Sequence, residues 1–339
     1  MRSQQCSSIF AKITGTGFCV PPRVVTNADL EKLMDTSDEW IRQRSGIEER
    51  RFTEPGVKPS ELALEASLKA LQNAGITAEN LDLIIVSTLS SEHYFPGTSA
   101  FLQQRLGLST TPCFDLRAQC SGFIYGLNVA KAMVSSGVYK KILLVGCEVQ
   151  SGAFEYSTKY RDMAVLFGDG AGAVVIEATA DPQAGFIGDI VLHAQGEFGN
   201  KLWCEYPSAS EKPFISIKAI EEGLIHPSMD GRFVFKHAVK RLPQVVREVL
   251  DANRMTVGDI DLYLFHQANL RINESVANEL KIPSEKMHNN IQKYGNTSAA
   301  SIPILLDECI REGKLKPGMN VCLAAFGAGF TWASALIRW

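Results

Sequence analysis

The chain has 339 residues, of which 45% are apolar, 21% charged and 9% aromatic, a composition that excludes a disordered or low-complexity polymer. Its 34 Lys and Arg against 37 Asp and Glu give a net charge of -3, so no overall positive field attracts a polyanion, and we expect no nucleic-acid partner. The eight cysteines form no C-x-x-C pair and have no His at metal-ligand spacing, which predicts free thiols, a reducing cytoplasm and no metal site.

The first residues show neither a signal peptide nor a membrane span. Residues 1–8 are polar, and the apolar stretch at 9–20 is interrupted by Lys12, Gly15 and Gly17. A secretory core or a bilayer-spanning helix needs a longer unbroken apolar run. We therefore expect a soluble protein with no membrane contact.

The predicted elements, taken in chain order, occur twice. Residues 60–75 carry leucines at helical spacing, and the apolar run at 83–86 predicts a buried strand. Residues 124–136 predict another helix before a strand at 142–145. The same two helix–strand units recur later, as helices over residues 234–252 and 299–312 and strands at 263–265 and 320–325.

Two units that recur in the same order predict an α/β protein whose halves are related by a pseudo-twofold axis. A polar stretch with Pro and Gly at 179–188 marks the boundary, which divides the chain into halves 1–180 and 181–339. The irregular residues 196–228 are interpreted as an insertion or lid in the second half. Chance similarity of unrelated segments is the alternative, and the agreement of two successive units disfavours it.

Three chemically useful residues follow equivalent elements of the two halves. Cys120 comes after the predicted strand at 113–116 and opens a helix, whose terminal amides and dipole should lower the thiol pKa from about 8.5. Asn296 opens the equivalent helix, and His266 ends the repeated strand. The ends of such strands should converge at one ligand site. A thiolate beside imidazole and carboxamide donors suits chemistry in which negative charge builds on a thioester oxygen.

The default for a lone cysteine or histidine is a structural residue of the core. We expect that role for the cysteines that lie in apolar runs, namely Cys113, Cys147, Cys309 and Cys322. The duplication argues against it for Cys120 and His266.

Two glycine-rich runs also stand out. The run GDGAG at 168–172 leads into apolar residues at 174–176, whereas a phosphate-binding loop must open a helix, so it predicts a tight connection between strands. The run FGAGF at 326–330 ends a repeated strand. Its backbone N–H groups could bind an oxyanion, and the alternative is a bend where chain segments approach closely.

Together these motifs resemble the β-ketoacyl-acyl carrier protein synthase III family, the initiating condensing enzymes of type II fatty acid synthesis. The resemblance covers nearly the whole chain and implies a thiolase-like fold of two duplicated α/β halves, layered αβαβα. The motifs that carry it are TSDEWI at 36–41, RSGI at 44–47, QCSGF at 119–123, FGDGAGA at 167–173, HQAN at 266–269, YGNTSAAS at 294–301 and FGAGFTW at 326–332.

The resemblance implies a decarboxylative Claisen condensation. Cys120 would take the acyl group of an acyl-CoA, and His266 with Asn296 would stabilise the enolate formed from malonyl-acyl carrier protein. Backbone N–H groups of Cys120 and Ala328 would form the oxyanion hole. CoA enters as a thioester substrate, and no metal or other cofactor is implied.

The resemblance also implies binding residues for the nucleotide part of CoA. Trp40 would stack on the adenine, with Arg44 and Arg161 beside the nucleotide. Asn269 would reach the pantetheine arm.

The acyl pocket would contain Phe167 and, from a partner subunit, Phe95, so a homodimer is implied. Acyl carrier proteins are acidic, and the family docks them near the basic helix after residue 231 and near Arg271. We expect Lys236 and Arg271 to contact the carrier. The further basic residues of this surface are Lys240, Arg241 and Arg247.

The chain departs from the family pattern at three positions. Ala328 and Ala333 stand where glycine is common, and Gln119 replaces a small residue before the cysteine. Because a residue with a Cβ resists positive φ, we expect Ala328 to reshape the oxyanion hole or narrow the pocket.

Three alternatives stay open from the sequence. One is a related ketosynthase of secondary metabolism that joins other thioesters or uses another acceptor. A second is a Cys-His-Asn thioester hydrolase with His266 as general base and Asn296 as its orienter. The third is a catalytically silent protein that only binds.

Overall fold

The computed structural model describes residues 9–339, so Cys6 lies outside the described part of the chain. The strands are β1 Phe10–Cys19, β2 Arg23–Thr26, β3 Glu49–Phe52, β4 Leu83–Ser87, β5 Cys113–Leu116, β6 Lys141–Glu148, β7 Gly170–Thr179, β8 Phe186–Ala194, β9 Leu202–Trp203, β10 Ser228–Met229, β11 Leu262–Phe265, β12 Asn320–Gly327 and β13 Thr331–Arg338. The α-helices are α1 Asn27–Glu31, α2 Asp38–Ser45, α3 Pro59–Ala74, α4 Thr98–Arg105, α5 Gly122–Ser135, α6 Arg161–Ala164, α7 Ile217–Glu221, α8 Gly231–Ala252, α9 Leu270–Leu280, α10 Ile291–Tyr294 and α11 Ser301–Arg311.

Two larger sheets repeat one topology. The first has the order β1-β7-β6-β4-β5 and the second the order β11-β12-β13-β8. In each, one parallel pair, β4 with β6 or β11 with β12, is followed by two antiparallel pairs. The second sheet therefore reproduces β4-β6-β7-β1 of the first, and β5 is an additional edge strand. The predicted duplication of α/β units is confirmed.

The sheets and helices form five layers. Helices α5 and α11 lie between the two sheets, α3 and α4 cover the outer face of the first sheet, and α8 and α9 cover that of the second. The sequence of strand β4 reflects its position between two layers of helices. Leu83 and Ile85 face the central layer, Ile84 and Val86 face α3, and all four are buried. A strand covered on both faces needs an unbroken apolar run.

The four predicted helices are present and end within one residue of the predicted ends, and their starting points differ from the predicted ones by one to three residues. Helix α3 ends at Gly75, which has φ +69° as the left-handed cap requires. Helices α5 and α11, by contrast, begin at Gly122 and Ser301, each after a 3-10 turn. Cys120 lies in the first of these turns and Asn296 precedes the second, so the predictions that they open the α-helices are corrected by two and five residues.

The predicted insertion at 196–228 has little regular structure. It contains a 3-10 turn at Gly196–Lys201, strands β9 and β10, which pair with each other, and the short helix α7. In the described residues 9–339, no helix has the length and apolar character needed to cross a bilayer. Over the same residues, no three His, Cys, Asp or Glu side chains gather as a metal site requires.

The central layer requires close contact between β7 and α11. A Cβ at Gly172 would lie 2.7 Å from the Pro303 Cβ and 2.8 Å from the Ile304 backbone nitrogen. The backbone of α11 cannot move aside as a flexible side chain can. Because residue 172 has no side chain, β7 and α11 can approach each other closely.

We expect Gly172→Ala to destabilise the protein by about 2 kcal/mol, because the added methyl group forces β7 and α11 apart. The measurement is the free energy of unfolding in urea. Gly152→Ala is the matched control, since nothing lies within 4 Å of a Cβ there. Equal stability of the two variants would contradict this account of the central layer.

Candidate active site

The site forms where each half of the chain contacts the other. The 3-10 turn Gln119–Ser121 packs on β12, and its counterpart Ser298–Ala300 packs on β6. A Cβ at Gly327 would lie 2.5 Å from the Cys120 Cβ, so β12 reaches the cysteine only because residue 327 is glycine. The sequence allowed two interpretations of the FGAGF run, an oxyanion-binding backbone or a bend where chain segments approach closely, and the structure shows such a close approach at Gly327.

A cavity of about 490 Å³ brings the predicted reacting residues together. Cys120, His266 and Asn296 all line it and are 8%, 4% and 5% exposed. The other predicted residues on its wall are Ala328, Asn269 and Phe167. The remaining wall is mainly apolar, and Leu202, Trp203 and Cys204 of the insertion contribute to it.

The thiol of Cys120 is a weaker acid than the sequence suggested. Burial raises its pKa to about 11, and the Ser298 hydroxyl, 3.5 Å from the sulfur, opposes that shift. The backbone N–H groups of Ala328 and of Cys120 itself also lower the pKa. The expectation of a lowered pKa was wrong because Cys120 precedes α5 in a buried turn, where desolvation outweighs the stabilisation by the helix terminus.

His266 is a neutral imidazole with one free nitrogen. It follows β11, and its backbone N–H donates to the Ala324 carbonyl at 2.8 Å, which fixes it beside β12. Burial lowers its pKa to about 3, so the ring is uncharged at neutral pH. Nδ1 lies 2.7 Å from the Ser301 hydroxyl, while Nε2 is buried with no hydrogen-bond partner in residues 9–339.

Asn296 presents its amide nitrogen as a donor. Its backbone N–H donates to the Leu166 carbonyl at 2.8 Å, and its carbonyl accepts from the Gly168 N–H at 3.1 Å. The side-chain oxygen accepts from the Ser298 N–H at 2.8 Å. That bond occupies the carbonyl end of the carboxamide, so the NH₂ end is available to a substrate oxygen.

Ala328 carries no backbone strain, contrary to expectation. The left-handed positions of this segment are Gly329, with φ +76°, and Phe330, with φ +47°. Ala328 keeps a negative φ, which a residue with a Cβ adopts without cost, so its N–H can approach the Cys120 sulfur. Its effect on the pocket is therefore limited to the volume of one methyl group on the wall.

A buried acid, Glu148, lies beside the site and is not among the residues predicted from the sequence. Glu148 ends β6, and its carboxylate accepts hydrogen bonds from the hydroxyls of Thr88 and Ser90 and from the Leu89 N–H. Burial raises its pKa to about 7, and its charge in turn raises the pKa of Cys120. Glu148 and Gly327 occupy equivalent ends of β6 and β12, but nothing in the sequence singled out the glutamate.

The predicted nucleotide residues cluster outside the cavity. The guanidinium of Arg44 lies 4.3 Å from the centre of the Trp40 ring, and that of Arg161 lies 5.2 Å from it. Asn269 is on the cavity wall and donates to the Arg44 carbonyl at 2.8 Å. The Trp40 cluster is thereby tied to the cavity through Asn269, although Trp40 is not on its wall.

The two predicted phenylalanines lie in different environments. Phe167 is on the cavity wall and stacks on Phe154 with ring centres 4.9 Å apart. Phe95 is 79% exposed and does not line the cavity of its own chain.

Two residues of the predicted basic surface lie beside the cavity. Lys236 is exposed next to Phe235, a cavity residue, and Arg271 lies over the Phe235 ring at 5.6 Å. These two cations therefore flank one residue of the cavity wall.

Two other arginines of α8 are engaged elsewhere. Arg241 hydrogen-bonds Gln195 and lies 4.5 Å from the centre of the Trp332 ring, and Arg247 pairs with Glu279 at 3.0 Å. Helix spacing alone does not reveal such tertiary partners, and the role of this basic surface stays a prediction.

The remaining motifs have structural roles. The GDGAG run is not the predicted connection between two strands, because it follows α6 and its last three residues begin β7. The Asp169 carboxylate accepts from the backbone N–H groups of Thr53, Gln150 and Ser151. Among the described cysteines, Cys147, Cys309 and Cys322 are buried as expected, whereas Cys113 is half-buried. All seven described cysteines are free thiols.

Comparison with known proteins gives consistent matches. The family model for 3-oxoacyl-[acyl-carrier-protein] synthase III matches residues 114–196, and the model for its C-terminal part matches residues 250–339. The β-ketoacyl-[acyl-carrier-protein] synthase III of Koribacter versatilis is 42% identical over 97% of this chain and 98% of its own.

Solved structures superpose over the same length. The 3-oxoacyl-[acyl-carrier-protein] synthase III of Aquifex aeolicus gives a TM-score of 0.89 at 41% identity, covering 97% of this chain and 100% of that chain. The priming β-ketosynthase of a polyketide pathway gives 0.88 at 32% identity, covering 97% and 96%. These superpositions confirm the thiolase-like fold class implied by the motifs.

A thiol pKa of about 11 predicts that alkylation of Cys120 by iodoacetamide accelerates about tenfold per pH unit from pH 7 to 10, because only the thiolate reacts. The measurement is the mass of the peptide that contains Cys120. A small free thiol is the control, and its rate should level off above about pH 8.5. A plateau for Cys120 near neutral pH would instead support the lowered pKa expected from the sequence.

Proposed function

The chain belongs to the β-ketoacyl-acyl carrier protein synthase III family, and we propose that it performs decarboxylative Claisen condensation with Cys120, His266 and Asn296 as its reacting residues. An acyl-CoA and a malonyl-acyl carrier protein give a β-ketoacyl-acyl carrier protein, free CoA and carbon dioxide. This reaction initiates fatty acid synthesis.

The first half-reaction transfers the acyl group to Cys120. The sulfur attacks the thioester carbonyl, and the N–H groups of Cys120 and Ala328 donate to the oxyanion that forms. The carbon–sulfur bond to CoA then breaks, and the thiol proton leaves with the CoA sulfur. No cofactor takes part, since CoA is itself the substrate.

The second half-reaction forms the new carbon–carbon bond. Malonyl-carrier loses carbon dioxide, and the electron pair of the broken bond becomes an enolate. His266 Nε2–H and the Asn296 amide donate to the enolate oxygen, which removes the need for a strong base or a metal ion. The α-carbon attacks the acyl-cysteine, and the Cys120 thiolate leaves and regains a proton.

The observation that carries this proposal is the neutral state of His266 with its Nε2 unpaired beside the cysteine. A general base in a hydrolase would need a pKa near the working pH and an orienting partner. Here the pKa of His266 is about 3, and Nδ1 is bonded to Ser301 rather than to Asn296. The geometry thus favours donation to an oxyanion over the Cys-His-Asn triad.

The proposal extends to CoA and to the carrier protein. The Trp40–Arg44–Arg161 cluster supports binding of the adenine and phosphates, and Asn269 supports contact with the pantetheine. The exposure of Lys236 and the contact of Arg271 with the Phe235 ring support docking of an acidic carrier at the Phe235 side of the cavity.

We also propose that the enzyme works as a homodimer in the cytoplasm. Apolar side chains of the 91–97 loop and of residues 215–220 at α7 are exposed. Tyr94 of this loop contacts Phe214, which precedes α7, with ring centres 4.9 Å apart. The exposed set is Tyr94, Phe95, Ile215, Ile217 and Ile220. A second copy would cover it and bring its Phe95 to the acyl pocket. Free thiols suit a reducing compartment.

A second candidate is a priming ketosynthase of polyketide synthesis, supported by the match to that class at 32% identity. The two candidates share the chemistry and differ in primer and acceptor. Rates with malonyl-carrier, malonyl-CoA and other acceptors, across a panel of acyl-CoA primers, would distinguish them.

We expect His266→Ala to retain acyl transfer to Cys120 and to lose about 100- to 1,000-fold in condensation, because one donor to the enolate oxygen is removed. Mass spectrometry of Cys120 after incubation with acetyl-CoA measures the first step, and release of carbon dioxide from malonyl-carrier measures the second. Cys120→Ala controls for acylation elsewhere. Loss of acylation itself in His266→Ala would favour the hydrolytic triad.

Charge reversal at Lys236 and Arg271 should raise KM for malonyl-carrier about 3- to 10-fold, since two attractive contacts become repulsive, and the effect should shrink at high salt. KM for acyl-CoA should not change. Lys316→Glu is the control, because Lys316 precedes β12, whereas the site lies at the other end of that strand. An unchanged KM for the carrier would contradict docking at this surface.

A further inference from the structure

Ser301 connects the catalytic histidine to α11. Its hydroxyl oxygen lies 2.7 Å from His266 Nδ1 and 3.3 Å from the Gln267 backbone nitrogen. Ser301 is the first residue of α11 and is 2% exposed. Within residues 9–339, its buried hydroxyl has the His266 ring and the Gln267 N–H as its hydrogen-bond partners.

The hydrogen-bonding capacity of the three groups fixes the proton positions. The Gln267 N–H can only donate, so the serine oxygen accepts from it. If Nδ1 also carried a proton, the hydroxyl would accept twice and its own proton would have no acceptor. Every proton has an acceptor only if Nδ1 is unprotonated and the hydroxyl donates to it. The single imidazole proton is then on Nε2.

We propose that Ser301 is a positioning residue that holds His266 in the Nε2–H tautomer required for donation to the enolate oxygen. The proposal deepens the function assigned above, because only this tautomer turns the free nitrogen into a donor. Without the serine bond the neutral ring can place its proton on either nitrogen. In the Nδ1–H form, Nε2 would present a lone pair to a negatively charged oxygen and would repel it.

The duplicated architecture shows how specific this contact is. In the first half, Ser87 ends β4 where His266 follows β11, and Gly122 begins α5 where Ser301 begins α11. A Cβ at Gly122 would lie 2.0 Å from the Ser87 oxygen, so the same junction brings strand end and helix start together in both halves. Only the second half places an imidazole and a hydroxyl at this junction.

The tautomer can be read without substrate, from the ¹⁵N shifts of His266 in the full-length protein labelled at histidine. The expected result for the unaltered protein is a protonated Nε2 and an unprotonated Nδ1 that accepts a hydrogen bond. Ser301→Ala should give a mixture of tautomers. A protonated Nδ1 in the unaltered protein would overturn the proposal, even if the variant failed to fold.

Kinetics provide the second measurement. Ser301→Ala should lower condensation and malonyl decarboxylation about 10- to 100-fold, in the range of lost orienting contacts, with acylation of Cys120 unchanged. Ser301→Thr keeps the hydroxyl and should restore most of the rate. Ser67→Ala is the matched control, since it removes a buried helical hydroxyl that donates to the Ala63 carbonyl, remote from the site.

The outcomes separate this proposal from the function on which it rests. An unaltered protein that neither acylates Cys120 nor decarboxylates malonyl-carrier would contradict the function, whatever the tautomer. Equal losses of acylation and condensation in Ser301→Ala, or a tautomer unchanged by the substitution, would contradict the role of Ser301 while leaving the function intact.

Discussion

The contact between Gly327 and Cys120 is the constraint on which the site depends. Neither half of the chain holds all three of the proposed reacting residues, since Cys120 comes from the first half and His266 and Asn296 come from the second. The backbone of β12 must touch the cysteine side chain to bring the Ala328 N–H to the sulfur, and the missing side chain at residue 327 permits it. The equivalent turn Ser298–Ala300 packs on β6, so one packing arrangement positions both sides of the cavity.

The electrostatics of the cavity follow from burial. Desolvation keeps the thiol of Cys120 protonated and the ring of His266 uncharged. Neutral N–H and amide donors therefore lie in a cavity wall that is otherwise mainly apolar. In the proposed reaction such donors are preorganised for charge that appears only in the course of the reaction, and in a medium of low polarity they act more strongly than in water. Glu148 differs from these neutral donors because it is an acid, and burial raises its pKa to about 7.

Much of the fold could be predicted because its signals are local. The apolar run at 83–86 and the cap at Gly75 predicted β4 and α3, and the repeat of such units predicted the duplication. The convergence of Cys120, His266 and Asn296 followed from the repeat. What the sequence could not predict depends on contacts between distant residues. The acidity of Cys120 is set by burial, the partners of Arg241 and Arg247 lie on other elements, and Ser301 and Glu148 matter only through what they touch.

The FGAGF segment has different tolerances at its three central positions. Residue 327 is restricted by volume, because any side chain would collide with the cysteine, and residue 329 is restricted by its left-handed backbone. Residue 328 meets neither restriction, and Ala328 lies on the wall of the cavity. A change of side chain at residue 328 can therefore alter the shape of the cavity while the backbone N–H of the same residue stays in place.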